Sequence, residues 1–252
     1  MDNKLSDYGF ARSPKWIVSH LIVLALLVGL CSLGLWQISR LHERQDRNDR
    51  VRERTQFVAE PVEDLVAGAS NVDDLEWRLA EATGQYQIRD QVLVVNRSFD
   101  GGAGAWVITP LLLSDGSAVI VNRGWVPFSV QVAEDRSSFD PPSGMVTIGG
   151  LVQLSQVRGR FGAGDPVEPD LLARVDLEAY ADVVDYPLLS VYVQLESATG
   201  GVDGGPDVPR LVPRPVLTNG SHLSYSVQWF IFAAIAAGGY GLILRRRAWA
   251  KQ

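Results

Sequence analysis

Two long apolar segments dominate the pattern of hydrophobic and polar positions, one near each end of the chain. Residues 17–36 read IVSHLIVLALLVGLCSLGLW, and residues 223–244 read LSYSVQWFIFAAIAAGGYGLIL. At a helical rise of about 1.5 Å per residue, these segments extend about 30 Å and 33 Å, which is enough to cross the hydrocarbon core of a bilayer. The pattern therefore predicts two transmembrane helices, with a short N-terminal segment at 1–16 and a tail at 245–252.

The region between the two spans, residues 37–221, has a polar pattern typical of a water-facing domain. It opens with a charged stretch at 37–56, where oppositely charged pairs such as Glu43 and Arg47 lie four residues apart, a spacing that supports a helix. We therefore predict a helical stalk that continues the first span. A short helix is predicted over residues 72–79.

From Gly84 onward, short apolar runs separated by turn residues predict β-strands. Asp115-Gly116 between two apolar runs is typical of a β-hairpin, and the Gly pair within 145–154 suits a β-bulge. Residues 175–185 have helical spacing, and the Gly/Pro-rich stretch 197–215 is expected to be a mobile connector. The fold class predicted is a membrane α+β protein, in which two transmembrane helices flank a mainly antiparallel, β-rich extracytoplasmic domain at 37–221.

The charge distribution sets the expected orientation in the membrane. Segment 1–16 has a net charge of +1 and the tail 245–252 a net charge of +4, whereas residues 37–221 carry 16 Arg and 27 acidic side chains. Basic flanks favour the cytoplasm, so both termini are predicted inside and the acidic domain outside a bacterial plasma membrane. Six arginines in the stalk favour the opposite orientation, but long loops translocate largely regardless of charge. The acidic domain also argues against nucleic acid as a partner.

The sequence has none of the common catalytic motifs, and we expect a protein that is not an enzyme. G-x-S-x-G, H-E-x-x-H, the Walker loop and C-x-x-C are all missing. The histidines are His20, His42 and His222, so the β-rich part has no Ser–His or Cys–His unit. The single cysteine, Cys31, lies in the first span, which leaves the ectodomain without disulfides.

One histidine lies where the connector enters the second span. Tyr225 and Trp229 follow His222 by three and seven residues, so all three share one helical face. The aromatic pair has two interpretations, an interfacial belt with lipid or helix packing, or a flat apolar slot beside a nitrogen ligand, which suits a porphyrin. His20 is about 25 Å or more away, at the other end of the membrane, and His42 could be a second ligand only if the stalk bends back.

Four motifs, in the same order along the chain, resemble the Surfeit locus protein one family. They are LGLWQISR (33–40), GAWVITPL (104–111), VIVNRGWVP (119–127) and HLSYSVQWF (222–230). The resemblance implies an assembly factor for a haem–copper cytochrome c oxidase that binds haem a transiently and assists its insertion into subunit I. It also implies His222 as the metal ligand, with subunit I, haem-synthesis or assembly proteins and the lipid bilayer as partners.

Two arginines could pair with haem propionates, since bidentate Arg–carboxylate contacts suit that task. They are Arg40, just after the first span, and Arg123, for which a turn-stabilising hydrogen bond is the alternative. The alternative function is a scaffold that binds no haem and docks oxidase subunits through the β domain. Small residues at four-residue spacing, Ala25/Gly29 and Ala234/Gly238, permit close packing of the spans with each other or with a partner, which leaves a homo-oligomer open.

Overall fold

The structure is a computed structural model that describes residues 6–133, 137–159, 164, 170–199 and 209–249. The chain forms two compact units. The terminal unit combines the two ends, Met1–Asp49 and Val216–Gln252, and the central unit is Arg50–Pro215.

Five α-helices, eight strands and four short 3-10 helices make up the described elements. The helices are α1 (Pro14–Arg54), α2 (Val62–Gly68), α3 (Phe128–Gln131), α4 (Leu177–Ala181) and α5 (His222–Trp249). The strands are β1 (Glu60–Pro61), β2 (Leu79–Tyr86), β3 (Val92–Phe99), β4 (Gly102–Leu113), β5 (Ala118–Pro127), β6 (Met145–Leu154), β7 (Leu171–Leu172) and β8 (Leu188–Thr199).

The terminal unit is built on the two long helices, which contain both predicted spans. α1 begins at a proline, whose missing N–H is one that a helix start leaves unpaired anyway, and it runs unbroken to Arg54. The predicted helical stalk is therefore confirmed as a continuation of the first apolar segment. By length and composition, α1 and α5 could each cross a membrane, and their apolar stretches are almost entirely exposed, unlike the core helices of a soluble protein.

α1 and α5 pack against each other in antiparallel orientation. The buried hydroxyl of Ser226 donates to the Gly34 carbonyl oxygen at 3.0 Å, and Gly34 makes room for the ring of Phe230. A Cβ atom at Gly34 would lie 2.8 Å from the tip of that ring, which is too close for two carbon atoms. By contrast, Cβ atoms at Gly29 and Gly238 would meet nothing within 4 Å. The predicted small-residue pairs are therefore not the contact between these two helices, and their packing with a partner stays a prediction.

The central unit is a closed β-barrel with additional strands at its margin. Its five barrel strands follow the order β2–β6–β8–β5–β4, and β4 pairs back with β2 through Leu111–Leu113. These pairings are antiparallel except for β5 with β8. β3 extends from β4, β7 from β3, and β1 from β2. The prediction of a β-rich, mainly antiparallel domain is thus confirmed. The closure of the sheet into a barrel was not predicted.

Three predicted local features, a hairpin turn, a β-bulge and a helix cap, are present in the structure. Gly116, with φ +86°, forms the hairpin turn between β4 and β5, and the Asp115 carboxylate accepts from the Ser117 N–H and hydroxyl. The pairing of β6 with β8 shifts register at Gly149 and Gly150, which confirms the bulge. Asp176 caps α4 by accepting from the Ala179 N–H, although this helix ends four residues before the predicted boundary.

β2 is the main element that the sequence did not reveal in full. It begins at Leu79, five residues before the first predicted strand residue, and the predicted helix at 72–79 is wrong apart from a single 3-10 turn, Val72–Leu75. The inward-facing side of β2 carries Ala80, Ala82 and Gly84, so its alternation is one of small residues rather than of large apolar ones. A close approach explains Gly84, because a Cβ there would lie 2.2 Å from the Leu112 carbonyl oxygen.

The barrel interior is filled by aliphatic side chains from alternating strand positions. Fully buried members include Leu111, Val119, Val121, Val152 and Val191, with α2 closing one end through Val62 and Leu65. Burial of this many apolar side chains, each contributing about 1.5–3 kcal/mol, makes disulfides unnecessary. The central unit thus has a core of its own.

Candidate functional site

His222, the predicted metal ligand, is the first residue of α5 and is turned toward α1. Its Nδ1 lies 2.9 Å from Oε1 of Gln37, and its ring is partly buried. An amide oxygen can only accept, so this contact is a hydrogen bond when Nδ1 carries the ring proton. The other ring nitrogen, Nε2, then holds the lone pair that a metal ion requires.

Gly220 lies on the Nε2 side of the ring. A Cβ atom built there would lie 3.6 Å from Nε2 and 3.5 Å from Cδ2 of His222, and the residue has φ +63°. In the part of the chain that the structure describes, no hydrogen bond involves Nε2 of His222. The nitrogen is therefore flanked by a glycine rather than by a side chain that would contact it.

Two further side chains of α1 hold the backbone that precedes His222. Arg44 Nε and Asn48 Nδ2 donate to the Thr218 carbonyl oxygen at 3.0 Å and 3.2 Å. Asn48 is only 3% exposed and also lies 3.5 Å from the side-chain oxygen of Asn219. Gln37, Arg44 and Asn48 recur at intervals of seven and four residues, so they lie on one face of α1. We call these three residues the α1 cradle.

The two predicted aromatic partners of His222 differ in their environment. Trp229 is partly buried, on the same side of α5 as His222 and Ser226, and its ring contacts Phe232 edge to face at 5.9 Å between centroids. Tyr225 is 49% exposed. Trp229 thus places an aromatic ring about two turns from His222 on the same side of α5, while Tyr225 faces outward.

Arg40 lies on α1 one turn beyond Gln37 and is available at the surface. It pairs with Glu43 at 2.7 Å, with both side chains more than half exposed, and its guanidinium lies 5.7 Å from the centre of the Trp36 ring. An exposed ion pair of this kind contributes little stability, so the guanidinium can exchange its partner at small cost.

Arg123 is in the central unit, where its charge is buried and satisfied. Its Nη1 donates to the Phe139 carbonyl oxygen at 2.7 Å and to Gln91 Oε1 at 3.1 Å, while Nη2 donates to the Asp140 carbonyl oxygen at 3.2 Å. Burial lowers the pKa of Arg123 and raises the pKa of the neighbouring Tyr86 to about 12. Arg123 therefore has the hydrogen-bonding role given as its alternative, although it joins β5 to residues 139–140 rather than stabilising its own turn.

The rest of the motif around Arg123 anchors the described part of the connector. Gly124 has φ +137°, and a Cβ there would lie 2.4 Å from the Arg210 carbonyl oxygen. Trp125 and Arg210 exchange two backbone hydrogen bonds of 2.7 Å and 2.8 Å. The connector predicted over 197–215 begins within β8 and pairs with β5 at Arg210, and residues 200–208 lie outside the described part.

Comparison of the sequence with known proteins assigns the chain to a family. The model of the SURF1 family matches residues 24–234, which is most of the chain. The chain belongs to the SURF1 family. The matched range contains the α1 cradle, His222 and the barrel, and it ends at residue 234 within α5.

The similarity to relatives in the SURF1 family extends over most of the chain rather than over one segment. An uncharacterised SURF1-like protein of Mycobacterium tuberculosis is 28% identical over 242 residues, covering 92% of this chain and 84% of the relative. Surfeit locus protein 1 of Takifugu rubripes is 28% identical over 233 residues, 86% of this chain and 90% of that protein. The human Surfeit locus protein 1 is 28% identical over 231 residues, 84% of this chain and 73% of its own.

The other two histidines of this SURF1 family member have different surroundings. His42 is exposed on the unbroken helix α1, so the bend that a second-ligand role would need does not occur. His20 is engaged through both nitrogens, with Ala11 O at 3.1 Å and the Tyr240 hydroxyl at 2.7 Å. No group of three or more His, Cys, Asp or Glu that could hold a metal ion occurs among the described residues.

The α1 cradle was missed at the level of sequence. Gln37 lies inside the LGLWQISR motif, but an amide after a tryptophan at the end of an apolar run is also typical of an ordinary span boundary. The recurrence of polar residues at 37, 44 and 48 was the available signal. It was obscured by the five other arginines and the four acidic residues of the same stretch.

Proposed function

We propose that this protein is a non-enzymatic, membrane-bound assembly factor for a haem–copper cytochrome c oxidase. Membership of the SURF1 family, which is linked to cytochrome c oxidase assembly, supports the proposal, as do the two apolar helices. Oxidase subunit I and haem-synthesis or assembly proteins are the proposed partners. An acidic domain between two helices suits a protein that meets its partner at the membrane surface.

The proposed cofactor is haem a, held transiently through Nε2 of His222. One observation carries this proposal: the ring is fixed through Nδ1 by Gln37, while Nε2 faces a glycine and has no hydrogen-bond partner among the described residues. This donor set fits a haem iron, which a single neutral imidazole commonly holds. Haem a brings the redox-active iron that the oxidase needs, and the role of this chain is to bind, orient and release it.

The surrounding residues have supporting roles in the proposal. Trp229, on the same side of α5, supplies an apolar ring, and Tyr225 supplies a second ring at the outer surface. Arg40 is the residue proposed to pair with a propionate, because its present partner is an exposed glutamate. Arg123 is not carried into the proposal, since its guanidinium is occupied by two carbonyl oxygens and an amide within the central unit.

We further propose insertion in a bacterial plasma membrane, with both termini in the cytoplasm and the central unit outside. The basic end of α5, Arg245, Arg246 and Arg247, supports this orientation. Fusions of a periplasm-dependent reporter to the loop after Gly116 and to the C-terminus test it. Activity of the first fusion and silence of the second are expected, and the reverse pattern would contradict the orientation.

The central experiment is purification of the full chain from cells that make haem a. Wild type, His222→Ala and the matched control His42→Ala are compared by absorption spectrum, extracted haem a and co-purified oxidase subunit I. Wild type and His42→Ala are expected to carry haem a, and His222→Ala to lose it. Unchanged haem a in His222→Ala would remove the ligand assignment. Subunit I bound without any Soret band in wild type would instead favour the scaffold function.

A further inference from the structure

We infer that Gln37 is a positioning residue for His222. By accepting a hydrogen bond from Nδ1, Gln37 keeps the imidazole proton on that nitrogen and the lone pair of Nε2 directed away from α1. The identity of the metal group that uses this lone pair rests on the proposed function. The tautomer itself does not, because it follows from the contact between Gln37 and His222.

The hydrogen bond fixes the choice between two forms of the ring. A neutral imidazole has one N–H, and Gln37 Oε1, 2.9 Å from Nδ1, accepts it. Free histidine in water prefers the opposite form, with the proton on Nε2, which cannot bind a metal ion through that atom. Gln37 therefore stabilises the form of His222 that is competent for ligation through Nε2. Ligating histidines in proteins are commonly held in this way by an acceptor on their other nitrogen.

The position of Gln37 is itself fixed by the packing of α1 on α5. One turn before Gln37, the Gly34 carbonyl oxygen accepts from Ser226, and one turn after it Leu41 is buried. On the other side of the ring, Arg44 and Asn48 hold the Thr218 carbonyl oxygen. His222 is thus fixed on the α1 side both by its ring and through the backbone that leads into it, whereas the Gly220 side carries no side chain.

This arrangement separates two tasks between the helices. α5 supplies the nitrogen ligand, and α1 supplies the acceptor that sets its protonation and direction. A substitution of Gln37 that removes the acceptor should leave the fold intact, because the residue is only partly buried at the surface of the helix pair. Loss of such an acceptor typically weakens metal affinity about 10- to 100-fold.

The tautomer can be measured without any haem, because the chain has only three histidines. The full-length protein, labelled with ¹⁵N-histidine in detergent at a pH where the rings are neutral, gives three ring spin systems. The His222 system is assigned by its loss in His222→Ala. In wild type we expect a protonated Nδ1 and an unprotonated Nε2 for His222. A proton on Nε2 would overturn the inference.

Three variants separate positioning from packing. Gln37→Leu removes the acceptor and is expected to move the His222 proton to Nε2, while Gln37→Glu keeps an acceptor oxygen and is expected to retain the wild-type form. Ser226→Ala removes the neighbouring bond between the helices without touching the ring, and should leave the tautomer unchanged. An unchanged tautomer in Gln37→Leu, or the same change in Ser226→Ala, would overturn the positioning role.

Titration with hemin then connects the tautomer to binding. Gln37→Leu is expected to bind hemin about 10- to 100-fold more weakly than wild type, with Gln37→Glu close to wild type. Equal hemin affinity in wild type and Gln37→Leu would overturn the role of Gln37 in ligation. If wild type has the expected tautomer but no hemin bound through His222, the haem proposal fails while the positioning of the ring by Gln37 is confirmed.

Discussion

The hydroxyl of Tyr240 lies 2.7 Å from Nδ1 of His20, which joins α5 to α1 at the end of the pair farthest from His222. Nε2 of His20 in turn donates to the Ala11 carbonyl oxygen at 3.1 Å, so Nδ1 is the acceptor for the tyrosine. From His222 to Tyr240 the helix rises about 27 Å. The two helices are therefore tied by side-chain hydrogen bonds at both ends, with Ser226 adding a further bond one turn after His222.

Removal of the Tyr240 hydroxyl should weaken the helix pair without unfolding the central unit. We expect Tyr240→Phe to lower the free energy of helix separation by about 0.6 kcal/mol, up to about 1.7 kcal/mol, the range for hydrogen bonds between apolar helices. An SDS titration of the full chain, followed by helical circular dichroism, measures this change. Tyr225→Phe is the matched control, because that side chain is half exposed, and an equal loss in both variants would contradict the role of the bond.

Gly34 is predicted to be the position where α1 least tolerates a side chain. Gly34→Ala should weaken the helix pair by about 1 kcal/mol or more, because the new Cβ meets the tip of the Phe230 ring at 2.8 Å. In a Phe230→Leu background the same change should be neutral or stabilising, since alanine is the better helix former by about 1 kcal/mol. The same SDS titration measures both.

Gly29→Ala provides the control for the Gly34 prediction. It lies in the same helix, and its Cβ would meet nothing within 4 Å. Helix propensity alone then predicts a small gain in stability. A loss at Gly29 comparable with the loss at Gly34 would show that helix packing against Phe230 is not the cause.

The elements that could be predicted from sequence are those with a strong local signal. Two apolar runs indicated α1 and α5, and Asp115-Gly116 indicated the β4–β5 hairpin. β2 gave no such signal, because Ala80, Ala82 and Gly84 fit the narrow barrel interior by being small. Barrel closure through Leu111–Leu113 depends on strands far apart in sequence, so local patterns do not encode it.

Only the part of the candidate site that lies on α5 could be predicted from the sequence. The position of His222 at the start of α5 followed from the sequence, because a single apolar run defines that boundary. Its contact with Gln37 joins residues 185 positions apart, and only the packing of two helices brings them together. For Arg123 the sequence left a propionate contact and a hydrogen-bonding role open, and its bonds to two carbonyl oxygens and an amide oxygen within the central unit support the hydrogen-bonding role.

The Gly124 position should control how firmly the connector is attached to β5. Gly124→Ala is strained at φ +137° and its Cβ would overlap the Arg210 carbonyl oxygen, so both backbone bonds between Trp125 and Arg210 are expected to break. Loss of two such bonds, about 1 kcal/mol each, should speed tryptic cleavage after Arg210 by about tenfold or more. Mass spectrometry of the cleavage products measures the rate.

Gly68→Ala is the matched control for the connector, because a Cβ at that glycine meets nothing within 4 Å. Its cleavage rate after Arg210 should equal that of wild type. If Gly124→Ala also left the rate unchanged, the attachment of the connector through Trp125 would be contradicted.

Stability of the central unit should fall in alkali because burial raises the pKa of Tyr86, Tyr180 and Tyr192, which therefore resist ionisation. Burial raises the pKa of Tyr86 from 10.0 to about 12, an effect that Arg123 partly offsets, and burial likewise raises the pKa of Tyr192 to about 12. In both cases the folded state holds its proton more tightly than the unfolded chain. This stabilisation is therefore complete below about pH 10 and is lost as the pH rises from about 10 to about 12.

For Tyr86 the difference between 10.0 and about 12 corresponds to about 3 kcal/mol. Tyr86→Phe should remove this part of the fall in the free energy of unfolding between about pH 10 and about pH 12. At neutral pH the free energy of unfolding should be nearly unchanged, because the ring stays in the barrel core. Thermal melting at pH values from about 8 to about 12, followed by the β-sheet amide I band, measures the central unit separately from the helices. A melting temperature that falls as steeply in Tyr86→Phe as in wild type would show that its ionisation does not limit the barrel.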